Sequence, residues 1–407
     1  MSREFFATRT VAHALAGFSP ALRTQTQTVA LAEALGRVPA RDVIASGPLP
    51  GFARSTVDGY AVRAADTYGA SEGLPSYLDL VGAVLMGVAP GVTVTAGTAV
   101  EMPTGGVLPP GADAVVMVEY TNETMPGTVE VLRPVAPGGG VVQADDDVTP
   151  GAVLTPAGRP LRAVDLGMLA AAGVTEILTH ARPRVAILST GDEVVAPSTA
   201  TLRPGQVRDA IASALAGLVL EAGGWPVPCG IVPDDPAALR SALHVALAQA
   251  DLVVVSAGSS VGTRDATADA VASLGKPGIF CHGLAIKPGK PTLLAECDGV
   301  PVIGLPGNPL SALVVFRLVG APLVWRLAGC VTPPPEPSVI ASLARDVPSE
   351  AGRRDVVQVQ LNGGQAEPLF GASALLSVLT RADGYLVVPE PATGLDAGAD
   401  VSVTLYR

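Results

Sequence analysis

Two of the three lysines in this 407-residue chain lie three residues apart, on either side of a Pro-Gly pair, in the run Lys287-Pro288-Gly289-Lys290. Pro-Gly is a preferred centre of the type II turn, in which the first and fourth Cα atoms approach within about 7 Å. Two compact ammonium groups held so close repel each other unless an anion lies between them. The spacing therefore indicates an anion or phosphate site, with a solvated surface turn as the alternative.

Polar loops follow two of the apolar runs that predict buried strands. The loop at 189–193 reads Ser-Thr-Gly-Asp-Glu, and its adjacent carboxylates could hold a divalent metal, although Asp192 alone could cap a helix. The loop at 256–265 places glycines and serines before a predicted helix, where backbone N–H groups and hydroxyls can cradle phosphate. It matches neither the P-loop nor the dinucleotide-binding pattern, so a plain tight turn is the alternative.

A third loop, at 304–312, follows another predicted strand and reads Gly-Leu-Pro-Gly-Asn-Pro-Leu-Ser-Ala. Asn308 can cap a helix and Pro309 suits its first turn, so helix initiation alone could explain this segment. In open α/β sheets, however, ligands bind where loops leave the carboxyl ends of strands. We therefore expect the three loops and the lysine turn to line one rim of a single sheet.

The bulk composition limits the kinds of partner. A net charge of −11 and a pI near 4.9 argue against nucleic acid, so any anionic substrate must be held by local positive groups. The start of the chain has no apolar signal core, and Arg317 and Arg326 interrupt the apolar stretch at 310–327, which argues against a membrane span. The four cysteines lack metal-like or paired spacing, and we expect a reducing cytoplasm.

The elements that must position these residues predict an α/β plus β protein. Residues 28–36 read as an apolar helix, 161–178 as a second helix, and 183–330 alternate between strand and helix, which is typical of a doubly wound, mostly parallel sheet. A proline-rich linker at 333–337 then leads into a small β domain. The predicted parts are a helical linker domain (1–47 and 141–182), a β-rich insertion (48–140), an α/β domain (183–330) and a C-terminal β domain (331–407).

An ordered set of motifs along nearly the whole chain resembles the molybdopterin molybdenumtransferase family, which comprises MoeA-like proteins and the equivalent domain of gephyrin. The set consists of Ser55–Ala61, Thr104-Gly105, 111–116, Asp147, 189–193, Gly205-Gln206, Asp234-Asp235-Pro236, 256–265, Lys287–Pro291 and Gly304–Pro309. The resemblance implies that the C-terminal domain is a β-barrel. It also implies an elongated homodimer in which the insertion of one subunit, carrying Asp58 and Thr104, faces the α/β domain of the other.

The implied reaction inserts molybdate into adenylylated molybdopterin and releases AMP, with Mg²⁺ as the usual divalent cation. A molybdopterin adenylyltransferase is a possible partner. The residues that the resemblance assigns to catalysis are Asp58, Thr104, Asp147, Glu193, Asp265, Lys287 and Lys290. Those expected to bind the pterin or its phosphates are Ser189, Thr190, Gly191, Ser256, Gly258, Ser259, Ser260, Gly262, Pro288, Gly289, Pro306, Gly307, Asn308 and Ser373. Candidate metal ligands are Glu193, Asp209, Asp234 and Asp265.

The chain departs from the family pattern at four places. Gly283 stands where many relatives carry lysine, Ile211 ends the run Asp209-Ala210-Ile211 where a polar triplet is usual, Ala257 replaces a glycine, and Asp145-Asp146-Asp147 replaces Gly-Glu-Asp. Loss of polar groups at 283 and 211 could change substrate, metal preference or rate. Two alternatives therefore stay open: a catalytically weak molybdopterin-binding or scaffold protein, and a molybdopterin adenylyltransferase. Tungstate would use the same donors as molybdate, because the two oxyanions are similar in size and charge.

Overall fold

The computed structural model of the protein describes residues 8–20, 23–257 and 261–406, without the side chains of 257 and 261–265. The chain forms two compact units. Unit 1 comprises Met1–Arg41, Ala157–Arg162 and Glu176–Arg407, and unit 2 comprises Asp42–Pro156 and Ala163–Thr175. The finer division into four domains stays a prediction.

The first part of the chain is rich in short strands. Its elements in order are α1 (Val11–Gly17), β1 (Thr26–Ala30), β2 (Val43–Ile44), β3 (Arg54–Ser55), β4 (Gly59–Val62), β5 (Ser76–Ala83), β6 (Thr98–Met102), β7 (Ala114–Met117), β8 (Thr121–Met125), β9 (Thr128–Val131), β10 (Val141–Val142), β11 (Val153–Thr155), α2 (Ala163–Ala171) and β12 (Glu176–His180). Three 3₁₀ turns lie at Leu31–Glu33, Ala64–Thr67 and Val118–Tyr120.

The helix predicted at 28–36 is wrong. Residues Thr26–Ala30 form β1, which pairs antiparallel with β12 so that Val29 lies opposite Ile177 and both side chains are buried. Only Leu31–Glu33 is helical, as a single 3₁₀ turn. Pairing with a distant strand therefore overrides the helical propensity of this alanine-rich run.

The β-rich insertion is confirmed as a six-stranded sheet in unit 2. Its strand order is β7-β4-β6-β5-β9-β8, and only the β5–β6 pair is parallel. Alternate residues of these strands, among them Val62, Leu78, Val116 and Val129, form its apolar core. The sheet presents the turn before β4 and the turn after β6, which carry the predicted residues Asp58 and Thr104.

The middle of the chain alternates between strands and helices as predicted. The elements are β13 (Arg184–Thr190), β14 (Val194–Val195), β15 (Val207–Arg208), α3 (Ile211–Glu221), β16 (Trp225–Val232), α4 (Pro236–Gln249), β17 (Leu252–Ala257), α5 (Val261–Ala272), β18 (Pro277–His282), β19 (Ile286–Lys287), β20 (Leu293–Cys297), β21 (Val300–Pro306), α6 (Pro309–Val315), a π-helical turn (Phe316–Gly320) and α7 (Ala321–Leu327).

These strands build a six-stranded sheet of order β16-β13-β17-β21-β20-β18. Strands β16, β13, β17 and β21 run parallel to one another. At the edge of the sheet, β20 pairs antiparallel with β21, and β18 pairs antiparallel with β20. Leu252 to Val255 of β17 are fully buried because helices cover both faces, which explains their continuous apolar run. The stretch Pro309–Leu327 is long and apolar enough to cross a membrane, but 67% of its most apolar window is buried inside the protein.

The last part of the chain forms a β-barrel. Its elements are β22 (Ser338–Leu343), β23 (Val347–Pro348), β24 (Arg354–Asn362), β25 (Gln365–Pro368), α8 (Leu376–Arg381), β26 (Gly384–Val388), β27 (Gly394–Leu395) and β28 (Asp400–Leu405). Strands β24, β25, β22, β28 and β26 pair in a ring that closes from β26 back to β24. Strand β19 joins β24 in parallel, so that Lys287 lies beside Asp355.

Candidate functional site

The lysine turn begins where β19 ends. Gly289 has φ of +116°, which favours glycine, and a Cβ added there would lie 2.3 Å from Val315 Cγ2. The peptide bond between Lys287 and Pro288 is cis. The Pro-Gly pair turns the chain between the two lysines, as its sequence predicted.

Hydrogen bonds fix the backbone of this turn. The buried Thr292 hydroxyl donates to the Gly289 carbonyl at 2.6 Å, and the Lys290 carbonyl accepts from the N–H groups of Leu284 and Thr292, each at 2.9 Å. Both lysine side chains are exposed, and neither pairs with a carboxylate within the described parts of the chain. Two free ammonium groups are therefore held on a well-anchored backbone, as an anion site requires.

The lysine turn lines a cavity of about 480 Å³ in unit 1. The other walls come from the end of β21, the start of α6 and the barrel strand β24. Seven of the predicted site residues line it: Lys287, Pro288, Gly289, Lys290, Pro306, Asn308 and Ser373. Residues far apart in sequence thus meet around one space large enough for a heteroaromatic ligand.

Asn308 connects the start of α6 to the segment that precedes α8. It occupies the N-cap position, with Pro309 at the first turn, but its side chain makes no capping hydrogen bond. Its Nδ2 instead donates to Ser373 Oγ at 3.0 Å, and the Leu310 N–H donates to the Ser373 carbonyl at 3.1 Å. Helix initiation therefore explains the position of Asn308 but not its side chain, which holds Ser373 in the cavity wall.

Arg353, Asp355 and Gln358 are among the cavity-wall residues that sequence reasoning missed. Arg353 forms a bidentate pair with the buried Asp355, with Nε–Oδ1 at 2.8 Å and Nη2–Oδ2 at 3.2 Å, and these bonds raise the pKa of Arg353. The charged run Arg353-Arg354-Asp355 could have indicated these residues. In a predicted β domain, however, charged residues at the start of a strand are common and do not indicate a site.

The hydroxyl residues at the ends of β13 and β17 bond to one another. Ser189, Thr190 and Ser256 are all buried. Thr190 Oγ1 donates to the Ser256 carbonyl at 3.2 Å, and Ser256 Oγ donates to Ser189 Oγ at 3.3 Å. Gly258, Ser259 and Ser260 lie outside the described residues, and only the helical backbone of Gly262 and Asp265 is described. The described hydroxyls thus join the ends of the adjacent strands β13 and β17.

Acidic residues gather near the end of β13. The Asp234 N–H donates to Asp192 Oδ1 at 3.2 Å. The Asp192 carboxylate thus bonds to the loop after β16 and does not cap a helix through this contact. Burial, and then the charges of Asp192 and Glu193, raise the pKa of Asp234. The next residue, Asp235, caps α4 by accepting a hydrogen bond from the Ala238 N–H at 2.7 Å. Asp234 is therefore not the capping residue of this helix.

Asp209 has a local structural partner, because its Oδ1 accepts from the Ala212 N–H at 3.0 Å near the start of α3. Within residues 8–20, 23–257 and 261–406, no three side chains of His, Cys, Asp or Glu are grouped so that they could hold a metal by themselves. A metal at the acidic group would therefore take further ligands from substrate or water, which is usual for Mg²⁺.

Asp58 and Thr104 meet in unit 2. Asp58 Oδ1 accepts from the Thr104 N–H at 2.7 Å and from its hydroxyl at 2.9 Å, and these bonds lower the pKa of Asp58, the backbone bond more than the hydroxyl bond. Asp58 lines a separate cavity of about 430 Å³. Asp147 is exposed, and its N–H donates to the Leu49 carbonyl at 3.0 Å. Asp58 is thus fixed as an ionised, solvent-accessible carboxylate.

Known protein families match three successive parts of the chain. Residues 8–173 match "MoeA N-terminal region (domain I and II)", 186–326 match "Probable molybdopterin binding domain", and 341–406 match "MoeA C-terminal region (domain IV)". The three matched ranges together include every predicted site residue, and they extend over parts of both units.

Individual relatives match over most of their length. The molybdopterin molybdenumtransferase of Nostoc sp. is 37% identical over 79% of this chain and 74% of its own. Molybdopterin molybdenumtransferase 2 of Mycobacterium tuberculosis is 34% identical over 92% of this chain and 94% of its own. The crystal structure of the molybdopterin biosynthesis MoeA protein from Pyrococcus horikoshii aligns with a TM-score of 0.86 and 31% identity, over 98% of this chain and 100% of that one.

Proposed function

Because this chain belongs to the MoeA family of molybdopterin molybdenumtransferases, and so to molybdenum cofactor biosynthesis, we propose that it inserts molybdate into adenylylated molybdopterin with release of AMP. The observation that carries the proposal is the pair of ammonium groups, Lys287 and Lys290, on the wall of a cavity that also holds the Asn308–Ser373 pair. An acidic protein with so few lysines concentrates positive charge where an anionic substrate needs it.

The two lysines stabilise charge during the reaction. When the phosphoanhydride of the adenylylated substrate breaks, negative charge builds on phosphate oxygens, and ammonium groups fixed beforehand stabilise that charge without reorganisation. Thr292 fixes the Gly289 carbonyl and thereby the turn that carries them. The backbone N–H groups of 256–265 are proposed to bind the same phosphates.

The acidic residues fit a magnesium ion bound mainly through one or two carboxylates. The pKa of Asp234 is raised first by burial and then by the charges of Asp192 and Glu193, and a cation would offset that negative charge. Glu193 and Asp234 would hold the ion, with Asp209 and Asp265 as further candidates. When bound, Mg²⁺ supplies charge neutralisation to phosphate oxygens.

We also propose a homodimer whose active site is shared between protomers. Asp58 and Thr104 belong to unit 2, whereas Lys287 and Lys290 belong to unit 1. The family resemblance implies that unit 2 of one subunit complements the α/β domain of the other. We further propose that the protein works in the cytoplasm, which suits its four free cysteines, and receives its substrate from a molybdopterin adenylyltransferase.

The decisive experiment measures AMP release from adenylylated molybdopterin on addition of molybdate and Mg²⁺. Wild type should release AMP only with molybdate, and Lys287→Ala should lose most of that release, because it removes a charge that the transition state needs. Lys276→Ala is the matched control: it removes the third lysine, which is exposed and lies outside the cavity wall, and should release AMP like wild type.

The two alternatives predict different results in the same assay. Tight binding of the adenylylated substrate without AMP release would favour the weakly catalytic binding protein. Consumption of ATP without any need for molybdate would favour an adenylyltransferase. Equal loss of release in Lys287→Ala and Lys276→Ala would show that net charge matters and that the lysine turn is not the site.

A further inference from the structure

An exposed phenylalanine lies in the wall of the cavity that the lysine turn also lines. Phe370 keeps 52% of its surface accessible to water, although it shares that wall with Leu310, Val356 and Leu369. Single exposed apolar side chains on an open surface are common and need no explanation. This one differs, because an exposed ring in the wall of a cavity offers a surface against which a flat ligand can pack.

The backbone on both sides of Phe370 is fixed by hydrogen bonds. The Leu369 N–H donates to the Gln358 carbonyl of β24 at 2.8 Å. On the other side, Ser373 Oγ accepts from Asn308 Nδ2 at 3.0 Å. The phenylalanine is therefore presented from a short segment that is anchored at each end.

A cation contacts the ring itself. The Arg345 guanidinium lies over the Phe370 ring, 5.3 Å from its centroid, and Arg345 Nη2 donates to the Pro368 carbonyl at 2.8 Å. Arg345 is not among the residues that line the cavity. Within the described ranges, no second aromatic ring stacks on Phe370. The ring is thus held by a neighbour outside the wall, and it stays open to a planar ligand within the cavity.

The separation between Phe370 and the lysine turn suits a substrate that carries a phosphate and a ring. Lys287 pairs with Asp355 at the start of β24. The Gln358 carbonyl, which holds Leu369, lies three residues further along this strand, a distance of about 10 Å. A phosphate at the lysine turn and a ring at Phe370 would therefore be separated by a distance of that order.

We propose that Phe370 stacks on a planar nitrogen heterocycle of the bound substrate. The inference rests on the proposed function, because that function supplies a substrate with two such groups, the pterin and the adenine. Both present the same kind of flat surface to an aromatic side chain. The lysines hold phosphate, and Phe370 gives the cavity its preference for a ligand that also carries a planar ring.

The test compares wild type with Phe370→Ala in binding experiments that need no turnover. Molybdopterin alone and AMP alone are titrated by calorimetry, since each carries one of the two heterocycles. One of the two ligands should bind about five- to a hundredfold more weakly, the range expected when a stacking aromatic residue is replaced by alanine. Loss of affinity for molybdopterin identifies the pterin as the stacked group, and loss for AMP identifies the adenine.

Two further variants separate stacking from other roles of the side chain. Phe370→Leu keeps an apolar side chain without a ring and should bind nearly as weakly as Phe370→Ala, whereas Phe370→Tyr keeps the ring and should bind like wild type. The melting temperature without ligand should change little in all three variants, because about half of the residue is already exposed. A purely structural role would instead lower the melting temperature of Phe370→Ala and leave its affinity for both ligands intact.

Ile340→Ala is the matched control, since Ile340 is an exposed apolar residue of the same barrel and is absent from the cavity wall. It should bind both ligands like wild type. Unchanged affinity of Phe370→Ala for both ligands, or failure of wild type to bind either, would overturn the inference. Weaker binding by Phe370→Ala, together with a wild type that releases no AMP, would overturn the proposed function and leave the stacking role supported.

Discussion

At the scale of single residues, Gly283 shows why a missing lysine need not be a lost function. Its φ is +120°, a conformation that side chains rarely adopt, and its N–H and carbonyl bond to Thr292 and Arg9 at 2.8 and 3.1 Å. Gly283→Lys should therefore lower the free energy of unfolding by about 1–3 kcal/mol, measured by urea denaturation.

Gly283→Ala serves as the control for that substitution. It should cost a similar amount, because the strain arises in the backbone and not in the charge. If Gly283→Lys were as stable as wild type and released AMP faster, the local backbone would be more adaptable than its geometry indicates, and the absent lysine would be a functional loss.

Asp145 is a second departure that the backbone explains. The family resemblance has glycine there, and Asp145 has φ of +67°, in the left-handed region that glycine and, less readily, aspartate tolerate. Asp145→Ala should destabilise the protein by about 1 kcal/mol, whereas Asp145→Gly should be neutral or stabilising, in the same denaturation assay. Equal stability of the two variants would contradict a left-handed backbone at this position.

The sequence predicted some residues of the cavity and missed others for a physical reason. Lys287, Lys290 and Asn308 stand in turns, where unusual residues are visible as motifs. Arg353 and Gln358 lie on or next to a barrel strand, where polar residues normally alternate with apolar ones. Only the closure of the barrel and the addition of β19 bring them to the cavity, and no local pattern encodes those pairings.

At the scale of elements, the lysine turn depends on the residue that leads into β20. Thr292 is fully buried, and its hydroxyl donates to the Gly289 carbonyl. Thr292→Val should lower the free energy of unfolding by about 1–2 kcal/mol, because the carbonyl loses its donor. It should also raise the KM for adenylylated molybdopterin, because the lysines are then held less firmly.

Thr292→Ser keeps the hydroxyl and removes one methyl group, so it separates the two effects. Its stability should fall by about 1 kcal/mol for the lost apolar burial, while KM stays at the wild-type value. A rise of KM in both variants would mean that packing around Thr292, and not its hydrogen bond, positions the turn.

The elements themselves were predictable where burial and local pattern agree. The strands β13, β17 and β21 are apolar runs because helices cover both faces of their sheet, and their alternation with helices specifies the fold class. Prediction failed at 28–36, where alanine and leucine favour helix but pairing with β12 wins. It also missed the edge strand β18, whose Pro277 and Gly278 weaken the strand signal.

At the scale of the whole molecule, the proposed catalytic residues are divided between two compact units. Unit 2 holds the Asp58–Thr104 pair, and unit 1 holds the lysine turn and its cavity. Each group is internally well fixed by hydrogen bonds, but neither contains both the fixed carboxylate and the cations. The proposed function therefore requires both groups, and they could come from the same chain or from two chains.

Subunit mixing distinguishes these two arrangements. Asp58→Ala and Lys287→Ala are each expected to be inactive, and an equal mixture, dissociated and reassociated, should recover about a quarter of wild-type AMP release if the site is shared between protomers. Half of the dimers are then mixed, and one of their two sites receives Asp58 from one subunit and Lys287 from the other. If each site were built within one chain, every site in the mixture would carry a defect and no activity would return. Mixing Lys287→Ala with Lys290→Ala is the control: both changes lie in unit 1, so recovery there would point to an exchange artefact.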